Sequence, residues 1–220
     1  QAAVDMGYRY IETDAYATRD SVLLSFHDDR LDRVTNQQGA IEELDYAEVK
    51  TALIEGREPI PLMEDLLGSF PETRFNIDPK HDACVAPLIE AIRRTNAVER
   101  VGVGSFSDKR LQQMRDALGP KLCTSMGPWA TSWMRFRAWG IPIGNHKAFG
   151  CAQIPVVQFG VTLGNKSFVD TCHANGLQVH IWTIDGPDEM NRLLDIGVDG
   201  LMTDKPALLK QVLEERGLWA

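Results

Sequence analysis

The stretch Tyr10-Ile-Glu12-Thr-Asp14 combines a strand-like pattern with two carboxylates, and the organisation of the chain is built around it. Aromatic and β-branched residues from Tyr8 to Thr13 predict a buried β-strand. Side chains two positions apart in a strand point to the same face, so Glu12 and Asp14 are expected side by side where the strand ends. Burial of unpaired carboxylates is costly, and a bound cation would offset that cost. Two solvated turn carboxylates are the alternative, and an isolated E-x-D pattern more often has that meaning.

The residues after this strand make the pattern more specific. They form a turn, a second apolar run ending at Phe26, and a polar segment that closes at a glycine. The matching elements are Thr18-Arg-Asp20, Phe26-His27-Asp28, Leu31-Asp-Arg33-Val-Thr35 and Gly39. In order, the chain reads E-x-D, T-x-D, F-H-D, L-x-R-x-T and G at compact spacing, which resembles the glycerophosphodiester phosphodiesterase family. The resemblance resumes near the C-terminus and is weak in the middle of the chain.

Composition limits the classes of protein to which the chain can belong. The chain has 220 residues, 44% of them hydrophobic and 25% charged, which fits one globular domain over residues 1–220. The formal net charge of −8 argues against nucleic acid or an anionic membrane surface as the main partner. The four cysteines show no C-x-x-C spacing, so neither a disulfide framework nor a zinc site is expected. No apolar run reaches the roughly 20 residues that span a bilayer, so we expect a cytoplasmic protein without stable membrane insertion.

The first residues predict a helix that ends at Gly7. We expect this helix to continue from a segment that precedes Gln1. The family resemblance implies that this segment holds the first barrel strand and a His-Arg pair that supplies half of the catalytic groups. The expectation is therefore an N-terminally incomplete copy that is inactive when residues 1–220 are expressed alone.

Strand-like and helix-like segments alternate along the chain, which predicts successive βα units and a parallel sheet. The expected fold is an α/β (β/α)8 barrel that lacks its first strand in this chain. Asp45-Tyr-Ala-Glu48 has capping-box spacing and predicts a short helix. The stretch from Trp129 to Trp139 holds three tryptophans at helical spacing, which favours core packing over the alternative of a lid or acyl-chain surface.

The strand predicted over Thr73–Lys80 places Asp78 and Lys80 on one face. Taken alone they indicate a surface ion pair worth about 0–1 kcal/mol. The resemblance instead implies an acidic metal ligand at Asp78, although the family more often has Glu there. It also implies a phosphate-binding lysine at Lys80 and an aromatic substrate contact at Trp182.

The leading hypothesis is metal-dependent hydrolysis of a glycerophosphodiester to an alcohol and glycerol 3-phosphate. Glu12, Asp14 and Asp78 would hold one divalent cation, Mg²⁺ or Ca²⁺, because hard cations prefer oxygen ligands. His27 would act as one member of an acid/base pair. Two alternatives remain, a lysophospholipase D-type phosphodiesterase and a non-catalytic barrel that keeps the binding site. The expected partner is a small-molecule phosphodiester; the sequence leaves the alcohol group, the cation and the oligomeric state open.

Overall fold

The computed structural model describes residues 1–141 and 150–219, and the chain divides into two compact units. The N-terminal unit is Tyr8–Cys123, and the C-terminal unit is Thr124–Ala220 together with Gln1–Gly7. A single domain over residues 1–220 stays a prediction.

Helices and strands alternate along most of the described residues. The α-helices are α1 (Ala2–Asp5), α2 (Tyr46–Val49), α3 (Met63–Ser69), α4 (Val85–Arg94), α5 (Asp108–Leu118), α6 (Pro128–Ala138), α7 (Lys166–Ala174), α8 (Pro187–Asp195) and α9 (Pro206–Glu215). The β-strands are β1 (Tyr10–Ala17), β2 (Leu23–Ser25), β3 (Leu53–Ile54), β4 (Glu58–Pro59), β5 (Arg74–Pro79), β6 (Val101–Val103), β7 (Cys123–Thr124), β8 (Cys151–Pro155), β9 (Val157–Gln158), β10 (Val161–Thr162), β11 (Gln178–Trp182) and β12 (Gly200–Leu201).

The main sheet of the N-terminal unit has the order β2-β1-β5-β6-β7. Strand β1 pairs in parallel with β5, and β5 pairs in parallel with β6, whereas β2 runs antiparallel to β1. The predicted alternation in β5 is confirmed, because Phe75 and Ile77 are buried beneath the sheet while Asn76 and Asp78 lie on the other face. All the carboxyl ends of these parallel strands therefore meet at one edge.

Two apolar clusters support this sheet. The larger one joins β1, β5 and β6 to α3, α4 and α5 through fully buried side chains such as Ile77, Leu88 and Leu111. The smaller one, around Leu24 and Leu31, packs under the irregular segment that follows β2. In that segment the predicted capping box of α2 is confirmed, with reciprocal hydrogen bonds between Asp45 and Glu48.

The C-terminal unit contains a parallel sheet of order β12-β11-β8 and the hairpin of β9 and β10. Helices α7, α8 and α9 contribute the buried residues Phe168, Leu193 and Val212. Among the described residues, Cys84, Cys123, Cys151 and Cys172 are not joined in disulfides.

The α/β class is confirmed, and the strands of the described residues form separate sheets that do not close into a barrel. Within the same residues, none of the helices combines the length and apolar character that crossing a bilayer requires. The core assignment for residues 129–139 is wrong in large part. Helix α6 forms as predicted, but Trp129, Phe136 and Trp139 are exposed, because helical spacing identifies a face without saying whether it turns inward.

Candidate active site

Four charged side chains meet at the carboxyl end of β1 and β5, and we call them the strand edge: Glu12, Asp14, Asp78 and Lys80. Asp14 and Asp78 are direct partners in the parallel register, and Glu12 is opposite Asn76. Two strands far apart in the chain therefore bring their acidic residues to the same place. This arrangement confirms that the E-x-D pattern lies in a strand and not in a solvated turn.

Lys80 connects the two opposing carboxylates. Its Nζ lies 2.6 Å from Asp14 Oδ1 and 3.2 Å from Asp78 Oδ2. All three side chains are largely buried, so this is not the exposed surface pair that the sequence left as an alternative. Burial opposes the charged form of Lys80, but the hydrogen bond to Asp14 and the charge of Asp78 outweigh it and raise its pKa. Lys80 is therefore held as an ammonium ion.

The single positive charge of Lys80 does not balance the carboxylates of the strand edge, which number three. The pKa of Glu12 is raised to about 7, first because protein atoms displace water around its carboxyl group and then because Asp14 is negative. The residue as a whole is nevertheless exposed, so only part of its carboxyl environment is shielded from water. Burial also raises the pKa of Asp78, against the opposing charge of Lys80. The strand edge thus carries more negative charge than its own cation neutralises.

The donor atoms suit a hard divalent cation, although the carboxylates are not gathered around one point. Asp78 Oδ1 is buried and accepts no hydrogen bond, which leaves an oxygen ligand available. All three candidate ligands are carboxylates, the type that Mg²⁺ and Ca²⁺ prefer. Across residues 1–141 and 150–219, however, no group of three or more acidic, histidine or cysteine side chains is arranged to hold a metal ion. Lys80 instead contacts two of the three predicted ligands, so the cation site stays a prediction.

His27 belongs to a second cluster, the histidine loop, formed by His27, Asp28 and Arg33. His27 Nδ1 lies 2.7 Å from Asp28 Oδ1. Arg33 donates two hydrogen bonds to the same carboxylate, from Nε at 2.6 Å and from Nη2 at 2.8 Å. These bonds, led by those from Arg33, lower the pKa of Asp28 to about 2. A permanently ionised Asp28 favours the imidazole tautomer that carries its proton on Nδ1, which directs Nε2 away from Asp28.

The histidine loop is tied to the strand edge through the backbone. The N–H of Phe26 donates to the carbonyl of Asp14 at 3.0 Å, and the hydroxyls of Thr13 and Ser25 are 2.6 Å apart. His27 therefore follows directly after a residue that is hydrogen-bonded to β1. Its positive form contributes to the electrostatic environment of Glu12, although as the smallest of the effects on that group.

Sequence reasoning missed Arg110, which braces the end of β5. Its Nη1 donates to the carbonyl of Pro79 at 2.5 Å and to Ser105 Oγ at 3.3 Å, and its Nε donates to Asp82 at 3.1 Å. Pro79 separates Asp78 from Lys80, so Arg110 holds the strand end that carries both. Asp28 and Arg33 belonged to the recognised pattern, but nothing in their spacing revealed that they form an ion pair. No local signal identifies Arg110, because its partners lie on other elements.

The remaining predicted residues are placed as follows. Trp182 ends β11 in the C-terminal unit, half-buried, and its role as a substrate contact stays a prediction. His180, on the same strand, packs against Gly200, in agreement with its interpretation as a core or rim residue. His81 stacks on Tyr16 with ring centroids 5.0 Å apart and accepts the N–H of Ala17, so its role is structural.

Comparison with known proteins gives consistent matches along the chain. The model of the glycerophosphoryl diester phosphodiesterase family matches residues 1–208. A Mycobacterium tuberculosis relative named probable glycerophosphodiester phosphodiesterase 2 is 39% identical, with 100% of this chain and 84% of the relative covered. A lysophospholipase D from Homo sapiens is 25% identical, with 97% of this chain and 79% of the relative covered.

Solved structures agree with these matches at the level of the fold. An Oleispira antarctica phosphodiesterase, solved in complex with the product sn-glycerol-3-phosphate, has a TM-score of 0.77. It is 19% identical, and the match covers 96% of this chain and 87% of that one. The likeness confirms the predicted barrel class.

Proposed function

The chain belongs to the glycerophosphoryl diester phosphodiesterase family, and we propose that it hydrolyses glycerophosphodiesters to an alcohol and glycerol 3-phosphate. The observation that carries this proposal is the strand edge itself. Two parallel strands bring Asp14, Asp78 and Lys80 into direct contact, and His27 is bonded to the same strand through its neighbour Phe26. A phosphoric diester hydrolase needs this combination of charge stabilisation and proton transfer.

Electrostatics favour a cation at the strand edge during the reaction. A phosphodiester is an anion, and three carboxylates balanced by one ammonium would repel it. Members of this family generally depend on a divalent cation. Glu12, Asp14 and Asp78 would hold that ion here, which when bound supplies Lewis-acid stabilisation of charge on the phosphoryl oxygens. Mg²⁺ and Ca²⁺ both suit the oxygen ligands.

The protein groups have separable roles. Lys80 adds a fixed positive charge beside the phosphoryl group, because its own carboxylate partners keep it protonated. His27 exchanges a proton at Nε2, while Asp28 holds Nδ1 and Arg33 holds Asp28. In the overall step a water oxygen forms the new bond to phosphorus. The attacking water loses one proton, the bond from phosphorus to the alcohol oxygen breaks, and the departing oxygen takes up one proton, so that the protons balance.

Substrate choice is the finer part of the proposal. A small water-soluble diester is the expected partner, with Trp182 contacting its alcohol portion. We expect the protein to be cytoplasmic and not to bind nucleic acid. The human relative named lysophospholipase D keeps a lysophospholipid as the second candidate substrate.

Phosphorus NMR with the full-length protein tests the activity. We expect glycerophosphocholine to be converted to glycerol 3-phosphate in the presence of Mg²⁺ or Ca²⁺. Lysophosphatidylcholine tests the second candidate, because release of choline from it would make lysophospholipids the substrate class. Glu90→Gln, a change in an exposed helical ion pair on α4, is the matched control and should behave as wild type. Absence of turnover with both substrates would favour the non-catalytic alternative.

A further inference from the structure

Helix α6 presents an aromatic surface to solvent. Trp129 and Phe136 lie seven residues apart, on one helical face with the half-buried Trp133, and Trp139 flanks them. Trp129 is 69% exposed, whereas Ala130 and Thr131 on other faces are buried. Edge-to-face contacts hold the rings together, with centroids 6.5 Å apart for Trp129 and Trp133 and 5.7 Å apart for Phe136 and Trp139. Contiguous exposed apolar surface of this kind marks an interaction site.

A hairpin of the same unit adds a further exposed aromatic residue. Phe159 is 97% exposed at the tip between β9 and β10, with a positive φ of 50°. The base of the hairpin is linked to α6 through Asn165, which donates to the carbonyl of Thr162 at 2.8 Å and accepts from Arg135 at 3.5 Å. Because the ring of Phe159 is solvated, it buries no apolar surface and does not stabilise the fold. The hairpin and α6 are therefore linked through polar contacts, and each exposes aromatic side chains.

The charge of this part of the chain has the opposite sign from the rest. Between Asp116 and Asp170 the sequence has no Asp or Glu, whereas it has five basic residues in a chain with a net charge of −8. Arg135 and Arg137 lie on the last turn of α6, and Arg135 stacks on Trp139 with its guanidinium carbon 4.7 Å from the ring centroid. The net charge of −8, which argued against an anionic membrane surface, is thus the sum of a basic segment between Asp116 and Asp170 and an acidic remainder.

We propose that α6 and the β9–β10 hairpin form a peripheral docking surface for an anionic phospholipid membrane. Tryptophan is favoured at the headgroup level of a bilayer because its ring is apolar and its N–H is polar. Arginines beside such rings add attraction to anionic lipids, and the lack of carboxylates removes repulsion. The surface rests on the interface and not inside the bilayer, which agrees with the lack of a spanning helix in the described residues. The proposal is independent of the proposed hydrolytic activity.

Vesicle binding by the full-length protein tests this inference. We expect co-sedimentation with phosphatidylcholine vesicles that contain about one third phosphatidylglycerol, together with a blue shift of tryptophan fluorescence. Binding should weaken as salt is raised, because ions screen the attraction. Trp129→Ser and Trp139→Ser should each lower the partition coefficient by about tenfold, and Arg137→Gln by about fivefold. Phe159→Ser tests whether the hairpin takes part in vesicle binding, at an exposed position where the substitution should affect the fold least.

Leu218→Ser is the matched control, since Leu218 is 56% exposed in the same unit and Trp139 is 54% exposed. This variant should bind vesicles as wild type does. Unchanged thermal unfolding of every variant shows that the fold is retained. The proposal is overturned if wild type does not bind the anionic vesicles or if the aromatic variants bind equally well. It is also overturned if these variants only convert a dimer into a monomer, which would assign the surface to a second copy of the chain. Vesicle binding without diesterase activity would overturn the proposed function alone.

Discussion

The strand edge and the histidine loop hold their charged groups in opposite ways. Asp14 at the strand edge has a side chain only 11% exposed, whereas His27 on the loop is 68% exposed. The pKa of Glu12 is raised to about 7 by burial and by Asp14, whereas the pKa of Asp28 is lowered to about 2, chiefly by Arg33. The strand edge has one positive charge, that of Lys80, for three carboxylates, whereas the carboxylate of Asp28 is paired with Arg33.

The proposed reaction requires a bound cation and a group that transfers protons, and the two requirements are met in different regions. Excess negative charge on a rigid sheet edge is suited to binding a cation, because regular strands position the ligands accurately. A compensated carboxylate on an exposed loop is suited to orienting a histidine that must exchange protons with water and substrate. Substitutions in the two regions should therefore change different measured quantities.

The largest expected effect comes from Asp14, which touches Lys80 and is a predicted cation ligand. Asp14→Asn should lower turnover by about 10⁴-fold or more and abolish the dependence on divalent cations, because the amide cannot replace a carboxylate in charge. Steady-state hydrolysis of glycerophosphocholine across a range of cation concentrations measures both. Turnover within tenfold of wild type would remove Asp14 from the site.

His27→Ala should lower turnover by about 10²–10⁴-fold, the usual contribution of general acid–base catalysis. Substrate binding should suffer less, because the strand edge is unchanged. The same steady-state assay gives kcat and KM separately, with cation affinity measured by calorimetry. A variant that loses cation affinity instead of kcat would show that the two regions are not distinct.

Asp28→Asn should have a smaller effect, about 10²-fold on kcat, because it frees the imidazole to turn and to change tautomer. Arg33→Gln leaves the carboxylate in place and should cost less than Asp28→Asn. The pair distinguishes orientation of His27 from a general loss of charge in the loop. Equal losses in both variants would contradict this ordering.

The two regions should also respond to pH with opposite signs. The raised pKa of Glu12 stabilises the folded chain below about pH 4.5, and this contribution is lost as pH rises through about 7. The lowered pKa of Asp28 stabilises it above about pH 3.8, and this contribution is lost as pH falls through about 2. A cation must displace the proton of Glu12, so cation affinity should fall about tenfold for each pH unit below 7.

Thermal unfolding with and without Mg²⁺ measures this dependence. The cation should raise the melting temperature more at about pH 8 than at about pH 5. Glu12→Gln has no proton to displace, so its weaker cation binding should vary little over the same range. A cation effect in wild type that is equal at both values would argue against Glu12 as a ligand.

The sequence was most informative where the relevant contacts are local or periodic. The alternation of Phe75 and Ile77 predicted β5 and the face of Asp78, and the spacing of Asp45 and Glu48 predicted the capping box of α2. The E-x-D and F-H-D patterns singled out Glu12, Asp14 and His27 as candidate site residues. These features depend on neighbours within a few residues, which a single sequence displays directly.

Features that depend on tertiary contacts were not predicted. Lys80 was recognised, but its bridge between Asp14 and Asp78 depends on the register of two strands. Arg110 donates a hydrogen bond to the carbonyl of Pro79, but the two residues lie on different elements, α5 and β5. Helix α6 shows the same limit, because its helical pattern was clear and only the fold determines that Trp129 and Trp139 face solvent.

We propose above all that the strand edge is a cation-dependent catalytic centre. Release of glycerol 3-phosphate from glycerophosphocholine tests it directly, when wild type and Asp78→Asn are treated with a chelator and then titrated with Mg²⁺ or Ca²⁺. We predict no release by either protein before cation is added, saturable recovery by wild type and at most a trace by Asp78→Asn. Full turnover by chelated wild type, or equal recovery by Asp78→Asn, would contradict the account.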